Sequence, residues 1–406
     1  MSTPAASTPR PEVAGSGIGA ATIVLSLTTI VSHTFGRQTY GLLIPAIEDS
    51  FGLTHGQAGV GGTVVYLAYF VGVLVVMWAS ARVEPITIMR VGLALGSAGL
   101  ALNAVAPNRA VLFGGLALAG GAGAGIWITA PTLATNGVAV RRRGMVIGLL
   151  ASSIGAASFL VGIGTSAYRA QLGVAGSWRP VWAVEATLAA ALLVATLTVV
   201  RPEPTEAVGA RGISLGLLRA MPGWWQITLA YTLFAVVGAG FSAFVVAALE
   251  EDAGLSRSQA GVVFAVMGLL GALGAPLTGW LSDRLGRRPL LISSISALGL
   301  ASTVVALGTG PMVVSAAIVF GAQAGSFPSM IASYVRDHAD ARAFSQVFST
   351  MLVSFSATAV VAPVGMGWLA DRSGSFTTSY LVLSGAAAVT LACVLALPRR
   401  AGADGA

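Results

Sequence analysis

Apolar runs long enough to cross a bilayer alternate along the chain with short polar breaks. A helix crosses the ~30 Å hydrocarbon core in about 20 residues. On that ruler twelve spans are predicted, near residues 18–46, 57–80, 87–106, 109–134, 144–167, 180–200, 223–248, 258–281, 289–308, 311–335, 344–368 and 378–397. Residues 1–17 are polar and small, with no short apolar core followed by a cleavage site. The first run therefore reads as a retained span behind a disordered N-terminal segment. Segment 201–222 is charged and carries prolines, so it reads as a linker between two six-helix halves, 18–200 and 223–397, with 398–406 as a tail. The predicted fold class is an all-α membrane protein with twelve transmembrane helices in two pseudo-symmetric halves.

Charge orients the spans. Only 9% of the 406 residues are charged, where a soluble protein carries about a quarter. All 22 basic residues are arginine. With the N-terminus inside, sixteen arginines fall in inner segments and five (Arg109, Arg169, Arg179, Arg257 and Arg372) in outer ones, leaving Arg37 within a span. Positive charge favours the cytoplasmic side, so both termini are expected there, as in a bacterial inner membrane. The net charge of +7 is explained by this bias and not by nucleic acid. A single cysteine, Cys393, excludes an intramolecular disulfide and a cysteine metal site. The 52 glycines include Gly148, Gly155 and Gly162, a spacing that lets membrane helices approach closely.

The two halves repeat one another. LTHGQAG at Leu53–Gly59 aligns with LSRSQAG at Leu255–Gly261, an offset of 202 that also places IED at Ile47–Asp49 on LEE at Leu249–Glu251. The same offset sets ARVEP, Ala81–Pro85, opposite DRLGR, Asp283–Arg287. Duplicated halves with a central linker suit a transporter whose site lies between the repeats.

The stretch GWLSDRLGRRPLL, Gly279–Leu291, resembles the signature loop of the major facilitator superfamily. In the first half the copy has decayed, with Ala81 and Glu84 at the Asp and Gly positions and only Arg82 kept. The segment Phe35–Gly59 is similar to a YbfB/YjiJ-type branch of that superfamily, and RRRGMVIGLLASSIG at Arg141–Gly155 to its monocarboxylate and oxalate carriers. The resemblance implies a gate in which Asp283 faces the N-terminus of the fifth span, while Arg284, Arg287 and Arg288 bridge the halves on the cytoplasmic face. Gly279, Gly286 and Arg82 complete that motif. It also implies a central cavity lined by the first, fourth, seventh and tenth spans.

Arg37 lies eleven residues before Glu48, ~16 Å along a helix and so near the midplane. Burying an isolated charge there costs ~3 to ~10 kcal/mol or more, so the side chain must face protein or a wet cavity. Three roles compete: binding an anionic substrate, pairing with Glu185 or with carbonyls, and conformational coupling. A guanidinium suits the first, since its planar fork binds carboxylates bidentately. His33 and Tyr40 lie within a turn of it, and His33 is a candidate proton carrier or hydrogen-bond donor. Trp127, Tyr231, Gln323 and Phe327 match it in depth and complete the candidate pocket.

No nucleotide loop, metal-spaced cluster or paired intramembrane carboxylates point to an enzyme, and no cofactor or metal is expected. The reading is a secondary transporter working by alternating access, a monomer in the bilayer, carrying a small organic anion, with protons as a candidate coupling ion. A drug/proton antiporter or sugar transporter is the alternative, and a non-transporting receptor a remote one. The fifth span, ASSIGAASFLVGIG, has neither the proline nor the acid that drug antiporters resemble one another in carrying.

Overall fold

The computed structural model describes residues 19–172, 177–201, 213–340 and 343–398; the predicted N-terminal segment, residues 202–212 of the linker and the tail beyond 398 lie outside the described residues. Every regular element among them is helical. Eleven helices are long and apolar enough to cross a membrane. They are α2 (His55–Ala79), α3 (Pro85–Ala104), α4 (Arg109–Thr135), α5 (Val140–Leu172), α6 (Trp178–Val199), α7 (Trp224–Glu251), α8 (Arg257–Leu285), α9 (Arg287–Leu307), α10 (Pro311–His338), α11 (Gln346–Ser373) and α12 (Thr377–Leu395). The twelfth span is α1, residues 20–51, which misses that test because its middle, Val31–Gln38, is π-helical.

Most predicted spans agree with these helices to within a few residues. Three run five residues further at their C-terminal ends, the fifth reaching Leu172 instead of 167. The first span continues to Phe51 instead of 46, and the eleventh to Ser373 instead of 368. The added turns carry Glu48, Asp49 and Asp371, acids that polarity alone assigns to loops. Partners hold them in helical turns instead, His55 at the start of α2 for Glu48 and residues of the other half for Asp49 and Asp371. The last part of the predicted linker forms a short helix, Leu215–Ala220; the Ser214 amide at its start donates to Thr350 Oγ1 on α11.

With an even number of spans, both described chain ends lie at one end of the bundle, here the terminal end; the other is the distal end. The halves meet along α5 against α8, α2 against α11, and α1 against α7. Glycines set the first contact. A Cβ on Gly155 would collide with Ala272, one on Gly162 would sit 2.8 Å from Ala265, and one on Gly268 2.6 Å from Ser158. Small residues bring these backbones close enough for van der Waals attraction, the main source of helix adhesion in lipid.

The zipper does not run the full length. Gly148 lies two turns before Gly155 on the same face, and Gly279 two turns after Ala272, yet a Cβ on either would meet nothing within 4 Å. Both positions lie toward the terminal end. The halves are therefore sealed distally and splayed at the terminal end.

This register yields a paired expectation. Gly155→Val should lower the stability of the purified protein by about 1–3 kcal/mol, the usual cost of overpacking a tight contact. Gly148→Val should stay within about 0.5 kcal/mol, as for an uncrowded surface. Thermal unfolding of the two variants checks the difference, and equal losses would contradict the splayed geometry.

Candidate functional site

The π-helical segment of α1 carries His33 and Arg37. Such segments are rare and concentrate at functional sites. Side chains stitch it to its neighbours: Thr29 Oγ1 donates to the Leu150 carbonyl and Thr34 Oγ1 to the Ile154 carbonyl, both on α5 at 3.1 Å. Ser158, also on α5, donates to Gln38 Oε1. Gly36 lies against the α4 backbone at Ala119, where a Cβ would already touch the carbonyl at 3.4 Å. On the opposite side Gly41 presses on the Ser242 carbonyl of α7.

Between the halves this segment borders a cavity of about 230 Å³. Five of the predicted residues line it: Arg37, His33, Tyr40, Trp127 and Tyr231. The Arg37 guanidinium carbon lies 4.4 Å from the centre of the Tyr69 ring, within range of a cation–π attraction. Among the described residues no carboxylate forms an ion pair with it. His33 packs its ring 4.2 Å from that of Trp127, and its Nδ1 is 3.1 Å from Ser32 Oγ. Tyr40 donates its hydroxyl to the Ala58 carbonyl at 2.6 Å, which commits that group to joining α1 and α2. Tyr231 stacks on Phe355, ring centres 4.6 Å apart.

Gln323 and Phe327 do not line the cavity. The tenth span breaks at Gly325. Gln323 Oε1 accepts from Ser294 Oγ on α9 at 2.9 Å, and Phe327 packs behind Phe234, 5.0 Å between rings. Ala324 and Pro328 line the cavity from this helix instead. Glu185 is fully buried; its Oε1 accepts from Thr39 Oγ1 at 2.6 Å, and no ion pair joins it to Arg37.

Sequence reasoning missed the aromatic side chains from α2 and α11, namely Tyr66, Tyr69 and Phe355, together with Phe234 of α7. They turn a pocket with one charge into an aromatic chamber around that charge. The three on α2 and α11 lay on spans assigned no cavity role.

The signature loop lies at the terminal end, where Gly286, at φ +88°, turns the chain from α8 into α9. Arg287 pairs with Asp283 at 2.6 Å and with Asp337 at 3.2 Å. Arg288 donates to the Leu395 carbonyl, and Arg284 lies over Trp280 at 3.8 Å. Arg82 stays on its own helix, bonded to the Trp78 carbonyl at 3.2 Å. With the terminal end splayed, each of these contacts stays within one half.

The distal end is the reverse. Among the described residues, every ion pair that joins the halves lies here: Arg257 with Asp49, Arg169 with Glu250 at 3.4 Å, and His55 with Glu251 at 3.1 Å. His55 also meets Glu48 at 3.0 Å, and Arg257 meets Glu250 at 3.6 Å. Asp371 of α11 accepts the His55 and Gly56 amides at 3.0 and 2.9 Å, capping the N-terminus of α2 from the other half. The 202-residue offset was the signal for this cluster, since it maps Glu48, Asp49 and His55 onto Glu250, Glu251 and Arg257.

Comparison with known proteins places the chain. The family model of the Major Facilitator Superfamily matches residues 25–247 and again 227–405. Human Monocarboxylate transporter 11 is 29% identical over 318 residues, 73% of this chain, and the chain spans 65% of that relative's length. A crystal structure of a mutant of the nucleoside transporter NupG superposes with a TM-score of 0.74 at 14% identity, covering 94% of this chain and 100% of that one. A bacterial homolog of the human lysosomal transporter Spinster, inward-facing and unoccupied, gives 0.67 at 17% identity, covering 94% and 96%. At these identities the two structures bear on the fold alone.

The distal cluster has a measurable hierarchy. Arg169 and Glu250 are both buried, with side chains 2% and 8% exposed. Arg169→Leu should destabilise by about 3–5 kcal/mol, because it leaves a buried carboxylate with only the longer contact to Arg257. Adding Glu250→Leu should recover part of the loss. The half-exposed Arg257–Asp49 pair should cost about 1 kcal/mol or less when broken. Thermal unfolding of the three variants checks the order.

Proposed function

The chain belongs to the Major Facilitator Superfamily, and from that premise we propose that it is a secondary active transporter of a small organic anion, working by alternating access. It is a multi-pass integral membrane transporter by family and by its membrane-length helices. The observation that carries the anion reading is Arg37: a guanidinium beside a cavity between the halves, resting on an aromatic face and paired with no acid among the described residues.

An unneutralised cation at that depth is costly, and a bound carboxylate would offset the cost in the geometry a guanidinium prefers. The remaining wall is Trp127, Tyr66, Tyr231, Phe234 and Phe355, which suits a planar or branched apolar body. Human Monocarboxylate transporter 11, by its name, carries the same chemical class. His33 and Gln38 add polar side chains to the cavity wall.

The arginine asymmetry orients the terminal end toward the cytoplasm of a bacterial cell, so the open cavity faces inward. In the opposite state the signature loop closes that end, with Asp283, Arg284, Arg287 and Arg288 exchanging their contacts within one half for contacts across the halves. Inward movement of an anion against the membrane potential costs about 2.3 kcal/mol per charge per 100 mV. A proton carried on the substrate carboxylate or on His33 removes that cost; efflux or exchange needs none.

A ligand-stabilisation screen of the purified protein against carboxylates, amines and sugars tests the reading. Carboxylates should raise the melting temperature of the native protein, and Arg37→Gln should abolish that rise. Stabilisation by amines or sugars that survives the substitution overturns it. For the gate, Asp283→Asn should slow counterflow in proteoliposomes while leaving half-saturation within about threefold, a loss of less than ~1 kcal/mol in binding. Unchanged turnover removes Asp283 from the gate.

A further inference from the structure

The distal cluster repeats itself under the pseudo-symmetry of the halves, with one substitution of chemistry. Each half begins its second helix with a capping box, Thr54 with Gln57 on α2 and Ser256 with Gln259 on α8, and each places a nitrogen base directly after the cap. On α8 that base is Arg257, which meets Glu250 of its own half and Asp49 of the other. On α2 it is His55, which meets Glu48 of its own half and Glu251 of the other. The offset of 202 maps each of these four acids onto its counterpart. One latch thus has a cation at any physiological pH, and the other has a cation only when an imidazole is protonated.

We propose that His55 is a proton-binding site that latches the distal gate, taking up a proton from the distal-side solution as the halves close and releasing it as they part. Both ring nitrogens lie against carboxylate oxygens, Nδ1 at 3.0 Å and Nε2 at 3.1 Å. A neutral imidazole has one donor and one acceptor, so it would set a lone pair against one carboxylate; the imidazolium donates to both. The surrounding acids favour it further. Asp371 of α11 bonds the amide of His55 itself, and Asp252 at the end of α7 caps the Phe376 amide beside it. The cations of the cluster, Arg257 and Arg169, are turned to Asp49 and Glu250. Phe376 and Phe244 flank the ring, 4.8 and 6.4 Å away centre to centre. The side chain keeps 24% exposure, a route for the proton to solution.

Parting the halves removes Glu251 and Asp371 and leaves the imidazole with Glu48 alone, which weakens its hold on the proton. Closure therefore binds a proton. Its stabilisation is largest where the imidazole is charged and is lost as pH rises and the closed-state imidazole gives up its proton. The proton comes from and returns to the same side, so the site sets the conformational balance by distal-side pH. It does not depend on which substrate the cavity takes.

The test needs no substrate. In a Cys393→Ser background, Pro107→Cys and Thr309→Cys place spin labels in the distal loops after α3 and α9. Pulsed dipolar distances are then recorded in nanodiscs between pH 5.5 and 8.5. The short, closed population should grow as pH falls, the closed-to-open ratio changing by up to about tenfold per pH unit for one linked proton. His55→Gln should flatten the response. Arg257→Gln should weaken closure at every pH and keep the response, and Arg257→His should steepen it. A native protein with no pH response, or a response that survives His55→Gln, overturns the proposal.

Discussion

Hydrocarbon does not hydrate charge, and this molecule places a guanidinium near the middle of its first span. A lone cation on a lipid-facing helix would be expelled or would thin the bilayer around it. Here α1 is enclosed: α4 and α5 cover it within its own half, α7 meets it from the other, and the aromatic ring of Tyr69 receives the charge. Enclosure in turn demands close approach, which is why the faces turned to α4 and α7 are Gly36 and Gly41. The π-helical widening sits within this enclosed stretch, where threonine hydroxyls of α1 reach across to α5 carbonyls. A free segment of the same sequence in lipid would have neither the partners nor the shelter.

The second constraint is the duplication. Twin halves would close both ends alike if their loops had stayed alike, but the two ends have diverged differently. At the terminal end the first-half copy has lost its acid and glycine, and the surviving acids and arginines of the second half bond within that half. At the distal end both copies keep their acids and capping boxes, so ion pairs cross between the halves in both directions. The state with a sealed distal end and a splayed terminal end follows from where charge complementarity between the halves has been retained.

Much of the fold was legible because span length, arginine bias and internal repeat are strong signals in an apolar chain. Arg37 was legible for the same reason, since it is the one Asp, Glu, Lys or Arg between Ala20 and Ile47. Tyr66, Tyr69 and Phe355 were not, because a membrane helix is apolar on all sides and its composition does not reveal which face meets a cavity and which meets lipid. Gln323 was placed by depth alone, and depth does not determine rotation; the break at Gly325 and the hydroxyl of Ser294 turned it toward α9. The distal acids read as loop charges because their partners in the other half lie 81 to 316 residues away. A charge at a helix end looks the same in sequence whether it is solvated or paired.

Cavity and latch are carried by the same rods. On α1, Arg37 and Glu48 are separated by eleven residues, about 16 Å of helix, and on α7 Tyr231 and Phe234 lie 16 to 20 residues, roughly 24–30 Å, before Glu250 and Glu251. Between them Gly41 rests on the Ser242 backbone with no side chain to yield. A displacement of Arg37 therefore cannot be absorbed by local repacking at that crossing; it must tilt α1 against α7 or be taken up in the π-helical segment. Tilting changes the separation of Asp49 from Arg257 and of His55 from Glu251, the pairs that hold the distal end shut. Electrostatics at the centre and electrostatics at the rim are thus linked by stiff helices crossing at a contact with no slack.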